Sequence, residues 1–249
     1  MKKKPTLNVV IPVFNEEQEV AASVGKLVHF LDDHLSRMAW TISIVDNAST
    51  DKTWAIARDL ARKNPRIIAL HLDQKGRGRA VKYAWEHQKT DFAAYMDVDL
   101  STDLKHFPAL IRALTGGYDI AIGSRNTQGS AVYGRSIIRT ITSKGYIAII
   151  KLLFWVHFTD AQCGFKAVSR RVIDALIPRV VDNEWFFDTE LLILAEKLGY
   201  RIFDCPVTWV DNPGSTVRVM STARGDLEGL WRLLMARPWR KLRYERRTT

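Results

Sequence analysis

Five short runs of aliphatic and β-branched residues, at 7–13, 41–45, 66–70, 92–96 and 120–122, alternate with stretches of helical periodicity. Apolar residues at Val20, Val24, Leu27, Val28 and Leu31 mark one helix over 17–35, and 51–63 and 78–87 behave likewise. Continuous apolar runs of strand length suit strands covered on both faces, and strand-helix alternation predicts an α/β fold, a doubly wound, mostly parallel sheet. In such sheets ligands sit outside the carboxyl ends of the strands. Four strand ends here carry polar groups: Asn15-Glu16, Asp46-Asn47, Asp97 with Asp99, and Ser124-Arg125.

The second half is less regular. A helix is expected near 135–158, a turn at Cys163-Gly164-Phe165, a helix over about 189–198, a strand over 201–210 and a last helix from about 223. The simplest organisation is one catalytic domain over 1–218, including an apolar helix region at about 132–158, followed by a basic amphipathic helix and tail over 219–249.

Charge separates these parts. The net charge is +10, yet 132–171 hold seven Lys/Arg against one Asp and 224–249 hold eight against three acids, so the rest is near neutral. Such a balance suits a polyanionic partner: nucleic acid, an anionic membrane face or a phosphorylated substrate. With 47% hydrophobic and 26% charged residues the chain is globular rather than disordered. Its longest apolar stretch, 145–158, is interrupted by Lys151 and falls short of the roughly 20 residues of a membrane span. Two cysteines, Cys163 and Cys205, are too few for a disulfide framework and suit a reducing compartment. The apolar run after the N-terminal lysines is broken by Asn8 and Pro12, so no export signal is expected. The expected location is cytoplasmic.

Asp97-Val98-Asp99 places two carboxylates at i and i+2 just past a strand. Extended residues at that spacing share a face, and hard oxygen donors there suit Mg²⁺ or Mn²⁺. Solvated loop aspartates have the same pattern, and the motif alone does not separate the two. Four further segments supply context: Ile11-Pro12-Val13-Phe14-Asn15-Glu16, Val45-Asp46-Asn47-Ala48-Ser49, Gln162-Cys163-Gly164-Phe165-Lys166 and Phe187-Asp188-Thr189-Glu190-Leu191.

Together these resemble the family 2 glycosyltransferases of GT-A fold, over about residues 7–218. The order is most similar to the polyprenyl-phosphate branch, which includes dolichyl-phosphate glucosyltransferases and dolichol-phosphate mannose synthases. The resemblance implies that Pro12, Phe14 and Glu16 border the nucleotide and that Asp46 reads the base. It implies that Gly76 and Arg77 flank the donor and that Asp97 and Asp99 hold the metal, with Ser101 at the position of a third ligand. It further assigns Arg125, Arg135, Arg139, Gln162 and Lys166 to the acceptor phosphate and places Asp188 near the sugar, as a catalytic candidate. A segment over 213–218 corresponds to one whose lysine meets phosphate in the family; that lysine is Thr216 here, so either Arg218 replaces it or the contact is missing.

The implied reaction is inverting, metal-dependent transfer of a hexose, glucose favoured, from a nucleotide-sugar, a UDP-sugar favoured, to polyprenyl or dolichyl phosphate. Such an acceptor is already anionic near neutral pH and needs no dedicated base. A lipid acceptor also fits basic, apolar-interleaved segments lying on an anionic membrane surface, with the protein held peripherally at its cytoplasmic face. The alternatives are a GDP-mannose-dependent synthase, a family 2 transferase to a sugar hydroxyl and, least favoured, a basic nucleic-acid-binding module. In the last, acids at the strand ends would repel phosphate. No nucleic-acid partner is therefore expected, and nothing in the sequence specifies an oligomeric state.

Overall fold

A computed structural model of the chain describes residues 4–211 and 219–241. The segment over 213–218 lies outside the described residues.

The amino-terminal half alternates as its sequence predicts: β1 (Thr6–Val13), α1 (Val20–His34), β2 (Ala39–Asn47), α2 (Thr53–Lys63), β3 (Ile67–Leu72), α3 (Arg77–His87), β4 (Phe92–Met96), α4 (Phe107–Thr115) and β5 (Ile120–Ser124). Then follow β6 (Ala131–Tyr133), α5 (Ile137–Phe154), β7 (Phe165–Ser169), α6 (Arg170–Leu176), α7 (Phe187–Lys197), β8 (Ile202–Pro206), β9 (Thr208–Val210) and α8 (Val219–Ala236). Seven strands form one sheet in the order β3-β2-β1-β4-β7-β5-β8, and β6 and β9 form a small parallel pair.

Alternate residues of each strand feed two cores, one on each face. Leu7, Val9 and Ile11 of β1 pack with Leu27 and Leu31 of α1 and Leu110 of α4, whereas Val10 faces Trp85 of α3 and Leu191 of α7. Both faces being covered is why the strands read as continuous apolar runs.

Two departures from the expected elements matter for the site. The Gln162–Lys166 signature runs directly into β7, the only antiparallel member of the large sheet, pairing with β4 on one side and β5 on the other. Its amino-terminal end therefore meets the carboxyl ends of β1, β2, β4 and β5. The expected strand over 201–210 divides after Pro206: β8 completes the large sheet, and β9 peels away beside the segment after Asp99. There Val210 donates its N–H to the Ser101 carbonyl at 2.9 Å, and Thr102 bridges Trp209.

Helix α8 packs on α5 and α7. Leu230 and Leu233 are buried, and a Cβ at Gly229 would come within 2.3 Å of the Phe186 ring, so glycine lets the helix approach closely. Among the described residues no helix is long and apolar enough to cross a membrane.

Candidate active site

The ends of β1 and β2 are tied together before any ligand enters. Asn15, at φ 55°, accepts from the Thr50 N–H at 2.8 Å, and its own N–H donates to Ser49 Oγ at 2.9 Å. The Glu16 N–H donates to Thr53 Oγ1 at 2.7 Å. Glu16 is thereby turned toward the acids of β4. Its carboxyl is pushed up to about 7, by burial first and then by Glu19, Asp99, Asp51 and Asp97.

Asp46 lies wholly inside. Its Oδ2 meets His71 Nδ1 at 2.7 Å, and its Oδ1 is a buried acceptor without a partner among the described residues. His71, tilted against Trp54 with centroids 5.1 Å apart, is the member of the pair that reaches the surface. No motif in the chain singles out His71. The signal that finds it is the β2–β3 register, which sets it opposite Asp46. Phe14 lies under Lys75, whose Nζ is 3.8 Å from the ring centroid, while Pro12 is a half-buried strand residue beside it.

Gly76, expected beside the donor, and the neighbouring Gly78 make a close packing contact. A Cβ at Gly76 would meet the Asn183 carbonyl at 2.5 Å, and one at Gly78 the Phe187 side chain at the same distance. The N–H groups of Gly78 and Arg79 donate to Glu184 and Asn183 carbonyls at 3.2 and 2.9 Å. The glycines let α3 approach the loop before α7, and two of its amino-terminal donors are already used.

Asp97 and Asp99 both lie just beyond β4, as expected. Asp99 is oriented by Ser101, whose N–H and Oγ donate to its two oxygens at 3.0 and 2.6 Å. Ser101 thus acts as a brace for Asp99. Asp97 presses on Gly164, where a Cβ would fall 1.8 Å from Oδ2, so only glycine fits. Despite Arg77 beside it, the Asp97 carboxyl is pushed up, by desolvation and then by Asp99 and Asp188. Among the described residues no group of three or more His, Cys, Asp or Glu could hold a metal ion alone. Yet the gathering of the Glu16, Asp97 and Asp99 carboxylates beside one strand end, with Glu16 raised by Asp99 and Asp97, fits a hard divalent cation that would complete its shell with diphosphate and water.

Beneath this pair lies a charge network. Arg77 donates to Asp97 Oδ1 from Nε at 3.1 Å and Nη2 at 2.7 Å, and to Asp188 Oδ2 from Nη1 at 2.7 Å. Asp188, 1% exposed, also accepts from the Tyr95 hydroxyl and faces Lys166 Nζ at 3.2 Å. A carboxylate so enclosed and so fully partnered serves as a counter-charge to Arg77 and Lys166. Lys166, expected as a contact for the acceptor anion, has no exposed side-chain surface and donates to the Cys163 carbonyl at 2.6 Å. Its charge is spent inside.

The other acceptor candidates sort by their partners. Arg125 is held in a fork by Asp160, with Nε to Oδ2 at 2.7 Å and Nη2 to Oδ1 at 2.9 Å, and the Asp160 carboxyl falls to about 2 because Arg125 outweighs its burial. Arg139 donates to both oxygens of Asp211 at 2.8 Å. Gln162 Nε2 donates to Asp226 Oδ2 at 2.7 Å, toward α8. Arg135 has no carboxylate at ion-pair distance among the described residues. It stacks on Trp209 at 5.7 Å, with Arg125 against the same ring at 5.5 Å. Burial first, then Arg125 and Arg139, against the pull of Asp160 and Asp211, lowers its affinity for its own proton.

Comparison with known proteins agrees with this geometry. The model of the glycosyl transferase family 2 matches residues 8–177. Glycosyltransferase AglD of Haloferax volcanii is 37% identical over 82% of this chain, which spans only a third (33%) of that protein's length. The dolichyl-phosphate beta-glucosyltransferase ALG5A of Trichomonas vaginalis is 29% identical over 86% of this chain and 68% of its own. Among solved structures, glucosyl-3-phosphoglycerate synthase from Mycobacterium tuberculosis, in complex with Mn²⁺, UDP-glucose and phosphoglyceric acid, superposes with a TM-score of 0.67 at 15% identity, covering 92% of this chain and 80% of that one. That similarity establishes a shared GT-A fold. With the strand-end acids in place and the family model spanning β1 to α6, the chain belongs to the family 2 glycosyltransferases.

Proposed function

We propose that the protein transfers glucose from UDP-glucose to a polyprenyl or dolichyl phosphate with inversion at the anomeric carbon. The observation that carries this reading is the placement of Arg135, which alone of Arg125, Arg135 and Arg139 has no carboxylate at ion-pair distance among the described residues, on Trp209 and alongside the Asp99–Thr102 segment through β9. An anionic acceptor held there lies next to the acids that would face the donor diphosphate. The printed functions of the dolichyl-phosphate glucosyltransferase relatives support the same acceptor and sugar.

In this reading a phosphate oxygen attacks the anomeric carbon, the bond from that carbon to the diphosphate oxygen breaks, and UDP leaves. Asp97 and Asp99 would hold Mg²⁺ or Mn²⁺, which when bound would neutralise charge on the departing diphosphate. The protein's own groups hold the two anions in line: Arg135 and Trp209 on the acceptor side, Asp46, His71 and Phe14 on the nucleoside side. No base is required, since the acceptor arrives largely deprotonated.

The acceptor's lipid is met at a membrane surface, on the cytoplasmic face. On α5 the outward residues Ile137, Ile138, Ile141, Leu152 and the following Trp155 are exposed, while Arg139 points inward to Asp211. An apolar outer face on an otherwise packed helix suits the headgroup boundary.

Transfer of label from UDP-glucose and GDP-mannose to polyprenyl phosphate, with the product anomer assigned, tests the reading. A β-glucosyl phosphate product from UDP-glucose is expected, abolished by chelation and reduced about 10²–10³-fold in Asp97→Asn and Asp99→Asn. Transfer from GDP-mannose alone would replace the donor, and transfer to a neutral sugar hydroxyl would overturn the acceptor.

A further inference from the structure

Arg77 touches acids on both sides of the site. Its guanidinium is sandwiched between the Tyr95 and Trp185 rings, at 4.9 and 5.0 Å, and only 10% of its side chain is exposed. The two carboxylates it bridges are unlike. Asp188, 1% exposed, is fixed by Lys166 and Tyr95 as well as by Arg77. Asp97 is 42% exposed and faces the same opening as Asp99, yet its Oδ1 is engaged twice by Arg77 and its Oδ2 lies against Gly164. A divalent ion reaching Asp97 meets a carboxylate whose Oδ1 already accepts twice from Arg77 and whose Oδ2 faces Gly164, so it competes with the guanidinium for that charge.

We propose that Arg77 is a resident counter-cation for Asp97, released from it by an incoming divalent ion and diphosphate while Asp188 keeps hold of the guanidinium. The inference rests on the metal and nucleoside-diphosphate reading above. Arg77 is then a positioning residue. It balances the buried acids before the donor arrives and makes the site resist metal until a second anion is present. Once freed, its Nε and Nη2 form a planar fork whose natural partner is phosphate oxygen. A lysine would not serve equally, because a single ammonium cannot bridge both carboxylates in the same way.

The test is titration with Mn²⁺, followed by the electron paramagnetic resonance signal of the free ion, with and without UDP, on the wild type, Arg77→Gln and Arg77→Lys. Without UDP, Arg77→Gln is expected to take Mn²⁺ about tenfold more tightly than the wild type, because the binding-competent Asp97 is no longer a minor state. With UDP the difference shrinks or reverses, since the diphosphate has lost its fork. Arg77→Lys, which keeps the charge, is expected between the two.

Equal or weaker Mn²⁺ binding by Arg77→Gln without UDP would overturn the proposal, as would a gain that is the same with and without UDP. If circular dichroism shows Arg77→Gln unfolded, Arg77→Lys decides, and a wild-type affinity in that variant overturns the proposal. Failure of the wild type itself to bind Mn²⁺ with UDP would overturn the metal reading and this inference with it, a result separable from the others because no variant is needed to see it.

Discussion

On the acceptor side, the fold has supplied a carboxylate to Arg125 and to Arg139 but, among the described residues, not to Arg135. Arg125, Arg135 and Arg139 lie within fifteen residues of one another, and Arg135 and Arg139 are four apart, so the chain alone presents them as one basic cluster. Asp160 and Asp211 divide them, from contacts 35 and 72 residues away in sequence. Arg135→Gln is expected to raise the acceptor KM tenfold or more while leaving the donor KM and the melting temperature unchanged, measured by steady-state kinetics on both substrates. Arg125→Gln is expected to act on stability instead, by about 3–5 kcal/mol in denaturant unfolding, because Asp160, 2% exposed, is left charged and unpaired. The same distinction explains what the chain showed of the site. Asp97, Asp99 and Glu16 were legible because strand ends in a doubly wound sheet select them. The enclosure of Lys166 and Asp188 was not, since burial of a charge is decided by its partners and not by its neighbours in sequence.

At the level of elements, periodicity sufficed wherever a strand or helix buried one face against a layer of its own. The five amino-terminal strands and the first three helices follow their apolar runs within about three residues. Helix α8 joins elements that sequence separated. Its inner side reaches Gln162 through Asp226 at 2.7 Å and Glu190 through Arg232 at 3.0 and 2.9 Å, and its outer side exposes Leu227, Trp231 and Met235. The Asp226 carboxyl is pushed from 3.8 to about 7, by burial first and then by Asp182 and Asp188, against the pull of Gln162. A carboxyl raised by folding favours the protonated folded state, so its contribution is full below about pH 4 and lost as pH rises through 7. Thermal melting is therefore expected to weaken between pH 5 and pH 8. Asp226→Asn, which keeps an acceptor for Gln162, is expected to flatten that slope, with Glu16 supplying a residual slope of the same sign.

For the whole molecule, the net charge of +10 divides between spent and available cations. Arg77, Arg125, Arg139 and Lys166 balance acids inside, whereas α5 and α8 carry exposed apolar side chains next to the basic segments that sequence singled out. Sedimentation with anionic vesicles at low salt, partly reversed by high salt, is the expected behaviour. Leu152→Asp and Trp231→Asp are expected to weaken it several-fold without changing the circular dichroism spectrum, and retention of the wild type in the supernatant would remove the membrane from the reading. Strand β7 carries a consequence of another kind. The large sheet consists of two parallel pieces, β3-β2-β1-β4 and β5-β8, and β7 alone joins them. During synthesis β4 and β5 have both left the ribosome well before residue 169, and at about 5–20 residues per second their facing edges wait on the order of 2–9 s for the strand that pairs with both. Through that interval the nascent chain presents two open strand edges, which makes the seconds before β7 emerges the period when this enzyme most needs a chaperone.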